Sequence, residues 1–181
     1  IMPTSADGSM PFKQATDIMY LTGIDQEESI LLLFPNAQDP KDREILFVRE
    51  TNDHIAIWEG AKFSKKEATD LSGVTTVLWT SAYEATLKRL VPQCESLYQN
   101  SNEHLRQGNE VETREDRYNK QLRVQFPLHM VKRSAPIMHR IRSVKTAEEV
   151  AQMRKAVAIT GKAFARVCGY IKPGVMEYEI E

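Results

Sequence analysis

The stretch Asp17–Phe34, "DIMYLTGIDQEESILLLF", carries the reading on which the fold turns. Two apolar runs, 17–22 and 30–34, flank a polar Gly23–Ser29 segment, and a third run, Glu44–Val48, follows Pro35-Asn36 and Asp39-Pro40. Short apolar runs bounded by turn residues predict strands, here three in an antiparallel meander. The runs are nearly continuous where a half-exposed sheet would alternate, so both sheet faces should be covered by helices.

Helix starts are written into the chain downstream. Ser64-Lys-Lys-Glu67, Ser81-Ala-Tyr-Glu84 and Thr146-Ala-Glu-Glu149 pair a hydroxyl with a carboxylate three residues on, the pattern that lets two side chains satisfy orphan N–H groups at a helix end. Thr113-Arg-Glu-Asp116 is a weaker version. Strand-like runs at Val74–Trp79 and Glu95–Tyr98 predict a parallel crossover between them. Together these give an α/β (α+β) fold, a mixed β-sheet flanked by helices. From Ala147 to Ile171 the residues Val150, Met153, Val157, Thr160, Phe164, Val167 and Ile171 keep to one side of a long helix, the side expected to face inward. The basic "MVKRSAPIMHRIRSVK" before it reads as a linker, which places the domain boundary after Arg142.

Composition narrows function by exclusion. Hydrophobic content of 41%, charged content of 27% and a net charge of −1 describe an ordinary globular chain of 181 residues. The longest apolar run, Ile30–Phe34, falls far short of the roughly 20 residues a membrane helix needs, so no membrane partner is expected. No charged-then-apolar leader opens the chain, and Cys94 and Cys168 lie too far apart for a metal motif or a disulfide framework. A cytoplasmic location is the expectation. The basic cluster Lys132, Arg133, Arg140, Arg142 and Lys145 lacks interleaved aromatics and reads as a solvated linker, not a nucleic-acid surface. His54, His104, His129 and His139 fall in four different segments and read as surface residues, giving no metal set. Phosphate loops, serine elbows and His-Glu-x-x-His helices are missing from the sequence, so no catalytic residue is assigned. One segment stands out: "RETNDHIAIWEGAKFS" puts Trp58 among turn-forming residues, where a large ring offers contact area for recognition or closes its own core.

Several motifs, in order, resemble the Xaa-Pro aminopeptidases (aminopeptidase P) of the creatinase/prolidase/aminopeptidase P family. They are "MYLTG" at 19–23, "ILLLF", "ILFVRE" followed by "IWEGAKFS", the Arg142-x-x-Lys145-x-x-x-Glu149 approach to the long helix, and "IKPGVMEYEIE". The resemblance implies an N-terminal non-catalytic α/β domain over 1–142 and, over 143–181, the start of a truncated pita-bread catalytic domain. It further implies a metal-dependent enzyme that removes the residue before proline, with two divalent metal ions, commonly manganese. Their Asp, Asp, His, Glu and Glu ligands would lie beyond Glu181, leaving this segment without a metal site and inactive alone. Peptide substrates with proline at the second position and a homo-oligomer are implied partners. Trp58 matches a tryptophan that, in better-studied relatives, walls the active site of a neighbouring subunit, so it is the implied substrate-binding residue. Departures from the family pattern stand at Ala56, where relatives carry a charge, and at Ala61-Lys62, where they carry Arg-Arg. Relatives also carry about one more helix and strand before Ile1, which would leave a sheet edge unpaired here. Prolidase or creatinase share the architecture, and some metal-free pita-bread relatives act as binding proteins; "IWEG" favours the aminopeptidase.

Overall fold

The computed structural model describes residues 11–101, 103 and 112–180, apart from the side chains of Asp53 and Trp58. Seven helices and five strands run through the described residues. In chain order they are α1 (Thr16–Thr22), β1 (Ile30–Leu33), β2 (Glu44–Val48), α2 (Asp53–Glu59), α3 (Lys65–Ser72), β3 (Thr76–Trp79) and α4 (Tyr83–Leu90). There follow β4 (Ser96–Gln99), α5 (Arg114–Gln125), β5 (Met130–Arg133), α6 (Ala135–Ser143) and α7 (Ala147–Tyr170). The chain divides into two compact units: Ile1–Gln99 with Asn109–Lys132, and Asn100–Gly108 with Arg133–Glu181.

In the first unit β2 is the keel. It pairs antiparallel with β1, Ile30 opposite Phe47 and Leu32 opposite Ile45, and parallel with β3, Leu46 opposite Val77 and Val48 opposite Trp79. Because side chains alternate along a strand, β2 feeds two cores. Ile45 and Phe47 pack with Tyr83, Leu87 and Leu90 of α4, Val91 and Leu122 of α5. Leu46 and Val48 pack with Ile24, Ala68 of α3, Val74 and Val77. Ile45–Val48 of β2 are each at most 1% exposed, which is why "ILFV" reads as an unbroken apolar run. The mixed sheet covered on both faces is therefore as the sequence predicts.

Three elements differ from the prediction. The run Asp17–Thr22 is helix, not the first strand of a meander; it ends at Gly23, whose φ of +69° is the left-handed turn that a side chain would oppose. The parallel crossover joins β2 to β3, while β4 pairs with β5 in a separate two-stranded sheet. The stretch read as a linker holds β5 and α6, with Pro136 in the first turn of α6, where its missing N–H costs nothing.

Capping follows the sequence closely. Reciprocal caps form at Ser64 with Glu67, Thr113 with Asp116, and Thr146 with Glu149. Ser81 does not cap α4; its hydroxyl instead donates to Glu50. Replacing Ser64 with alanine removes the acceptor for the Glu67 N–H and is expected to cost about 1 kcal/mol in urea unfolding. A loss below about 0.3 kcal/mol would show that water replaces the cap.

The second unit contains α6, anchored by the buried Ala135 and Met138, and the 24-residue α7. Its α7 stripe faces solvent, Phe164 being 70% exposed and Val157 equally so. Lys172-Pro173-Gly174 follows the helix, Gly174 at φ +96°, and the described residues beyond hold a short turn at Glu177–Glu179.

Candidate functional site

Trp58 falls on α2, one residue before the helix ends at Glu59, and not in a loop. The helix starts where the Asn52 side chain accepts the Ile55 N–H at 2.9 Å. It stops at Gly60, whose φ of +79° breaks the helical path before α3. Ile57, beside Trp58, is 76% exposed, so α2 presents an apolar residue to solvent. One exposed isoleucine is ordinary by itself, so α2 is a candidate contact surface chiefly because it carries Trp58.

The described side-chain contacts at the end of α2 are polar. Arg49, just past the end of β2, meets Glu59 with Nη1 at 2.6 Å and Nη2 at 2.9 Å. The same guanidinium faces Glu27 at 3.5 Å and Glu28 at 3.8 Å. Glu27 accepts Lys62 Nζ at 2.5 Å, and both side chains are only 12% exposed. Next to them the Gln26 carbonyl oxygen of the side chain accepts the Phe63 N–H at 2.7 Å. The segment Glu59–Phe63 is thus gripped at three points by residues 26, 27 and 49.

The gripping turn is itself braced. Gln14 Nε2 donates to the backbone carbonyls of Ile24 and Gln26 at 3.1 and 2.8 Å, and the Ser29 hydroxyl donates to the Gln26 carbonyl at 2.9 Å. Glu28 adopts φ +59°, a conformation that costs a non-glycine residue about 1 kcal/mol and that the bracing maintains. Arg114 approaches Glu28 at 3.6 Å, extending the alternation of charge. Burial pushes the Glu27 carboxyl up, but the Lys62 hydrogen bond and the nearby Lys62 and Arg49 charges outweigh it, and the net displacement is downward from 4.5.

The histidines are placed differently from one another. His54 and His139 are exposed, and His104 lies outside the described residues. His129 is half-buried, its Nε2 3.0 Å from the Val91 carbonyl and its ring edge-on to Phe126 at 5.7 Å, so it is a packing residue and not a solvated one. Within the basic cluster Arg133 is engaged by Glu103, with Nε donating at 2.8 Å. Among the described residues no group of three or more His, Cys, Asp or Glu side chains converges as a metal ion requires, and no helix is long and apolar enough to cross a membrane. The described residues do not fit a di-metal centre. Gln26, Glu27 and Arg49 were not singled out in the sequence, and Lys62 only as a departure from the family pattern, since their partners stand 10 to 37 residues away.

Comparison with known proteins fits this picture. Residues 1–98 match the family aminopeptidase P, N-terminal domain. The Xaa-Pro aminopeptidase of Escherichia coli is 28% identical over 179 residues, covering 98% of this chain and 40% of its own length; that of Haemophilus influenzae is 25% identical, covering 97% and 38%. The chain therefore spans about two fifths of the curated relatives it matches. Among solved structures, a Bacillus anthracis protein described as a candidate aminopeptidase P superposes with a TM-score of 0.83 at 28% identity, covering 98% of this chain and 42% of that one. The low-pH form of E. coli aminopeptidase P gives 0.76 at 27% identity, covering 99% and 41%. A mixed sheet clothed by helices, a family match over more than half the residues and alignment of almost the whole chain with part of each relative make this chain a member of the aminopeptidase P N-terminal domain family.

Proposed function

We propose that the chain is the N-terminal, non-catalytic part of a metal-dependent Xaa-Pro aminopeptidase, helping to build the oligomer and to narrow the approach to the active site. The observation that supports this most directly is alignment across 98% of the chain with an Xaa-Pro aminopeptidase, joined to the agreement in fold. In this reading residues 1–142 form the N-terminal domain and 143–181 open the catalytic one. The parent protein acts in the cytoplasm as a homo-oligomer on peptides with proline second.

Two divalent ions, manganese in this proposal, would supply the attacking hydroxide and steady the oxyanion from ligands outside this chain. The target bond is a tertiary amide with no N–H, so recognition must come from shape around the ring and from the peptide's free amine. An exposed α2 carrying Ile57 and Trp58 suits the first of these tasks.

The test is release of the first residue from Xaa-Pro peptides by the full-length protein, stimulated by manganese and abolished by a chelator. No release from any Xaa-Pro peptide would sink the proposal. Dipeptides cleaved in preference to longer peptides would point to prolidase instead. Trp58→Ala in the same protein is expected to lower kcat/KM by about tenfold through misplaced substrate. Unchanged turnover of short and long peptides would remove Trp58 from the site.

A further inference from the structure

We propose that Glu27 is a positioning residue whose grip on Lys62 and Arg49 sets where α2 stands, and so sets which peptides the entrance admits. This deepens the reading above that α2 borders the entrance, and rests on it.

The argument starts from the weakness of α2 by itself. A seven-residue helix is marginal in water and takes its place from its attachments. Gly60, at φ +79°, breaks the helical path between α2 and α3, so α3 does not fix α2 by rigid continuation. Among the described residues its polar attachments are the Asn52 cap at the start and the grip on Glu59–Phe63 at the end.

Within that grip Glu27 is the shared member. Its Oε1 faces Lys62 at 2.5 Å and Arg49 at 3.5 Å, and Arg49 in turn holds Glu59 on α2 itself. Freezing a lysine at 12% exposure sacrifices much rotamer freedom, and an ion pair made only for stability gains little by it. The exposed pair Lys66–Asp70 shows the contrast: 84% and 61% exposed, it joins one helix to itself and positions nothing else. The Glu27 pair joins segments 35 residues apart, and its burial fixes geometry more than it adds stability.

The test uses full-length Glu27→Gln, Lys62→Met, Trp58→Ala and the Glu27→Gln/Trp58→Ala double variant, assayed on a short and a long Xaa-Pro peptide. Glu27→Gln is expected to change the ratio of kcat/KM between the two peptides by about fivefold, chiefly through KM, with kcat within about twofold. The double variant should resemble Trp58→Ala alone, since both act through one helix. Lys62→Met should shift the ratio in the same direction and Lys62→Arg should restore it, which a general loss of stability would not do. If Glu27→Gln does not fold, Lys62→Met decides. Folded variants at the wild-type ratio, with Trp58→Ala shifting it, overturn the role of Glu27 and leave the entrance reading intact. Wild-type ratios in all of them, Trp58→Ala included, overturn the entrance reading itself.

Discussion

Phe47→Ala is expected to cost about 3–5 kcal/mol of unfolding free energy, the range for emptying an aromatic site in a core. Phe47 is 0% exposed and sits in the middle strand, its ring edge-on to Tyr83 at 5.2 Å. Tyr83 in turn lies 6.1 Å from Tyr118, and their hydroxyls are hydrogen-bonded. Burial alone pushes the Tyr118 phenol up to about 12. Removing the Phe47 ring therefore opens a cavity between β2, α4 and α5 and loosens the tyrosine pair. Urea denaturation measures the first effect. Spectrophotometric titration of the phenols measures the second, with the Tyr118 midpoint expected to fall toward its ordinary value of 10.0. A loss below about 1.5 kcal/mol would mean that α4 collapses onto the gap, and that this face is less rigid than its burial implies.

Glu27→Ala should be the next most damaging, at about 2 kcal/mol near neutral pH, because it strands the Lys62 ammonium at 12% exposure. Lys62→Met should cost less. It leaves Glu27 facing Arg49 and replaces a buried stem with an apolar one. The pH dependence has a definite sign. The folded Glu27 carboxyl lies below its ordinary 4.5, so its contribution is complete above about pH 4.5 and fades as pH falls through the depressed value. Wild type and Glu27→Ala should therefore converge in stability in acid and diverge above it. A difference that persists unchanged at acid pH would show that packing, not charge, explains the loss.

The sheet and its cover were readable because β2 needs apolar residues on both faces, and that requirement leaves an uninterrupted run in the chain. The reciprocal caps at Ser64 and Thr146 were readable because they are local, three residues apart. Asp17–Thr22 misled for the converse reason: a short apolar run fits helix and strand equally, and Gly23 as a helix terminator was the overlooked signal. In α2 the Asn52 cap and Gly60 stop were also present, masked by the turn-forming look of "ETNDH". Ser81 matched a cap pattern, yet a distant partner, Glu50, claimed its hydroxyl. The ion network escaped notice because charge pairing across 22 to 35 residues has no signature until the fold brings the partners together. Trp58 was legible as a residue of interest from its turn-rich surroundings, but its contact role came only from family resemblance, since nothing in its spacing separates a contact ring from a core one.

The two compartments served by β2 are unequal in bulk. One takes Phe47 and Tyr83 with Tyr118 against it; the other is lined by Ile24, Ala68, Val74 and Val77, with Phe63 and Trp79 against it. A slip of β2 by a single residue against its neighbours would drive the phenyl ring into the smaller compartment, already occupied by Ile24, Phe63 and Trp79, and leave the tyrosine side underfilled. Mispaired chains would thus be crowded on one flank and hollow on the other, so the sheet proofreads its own alignment by volume as it assembles.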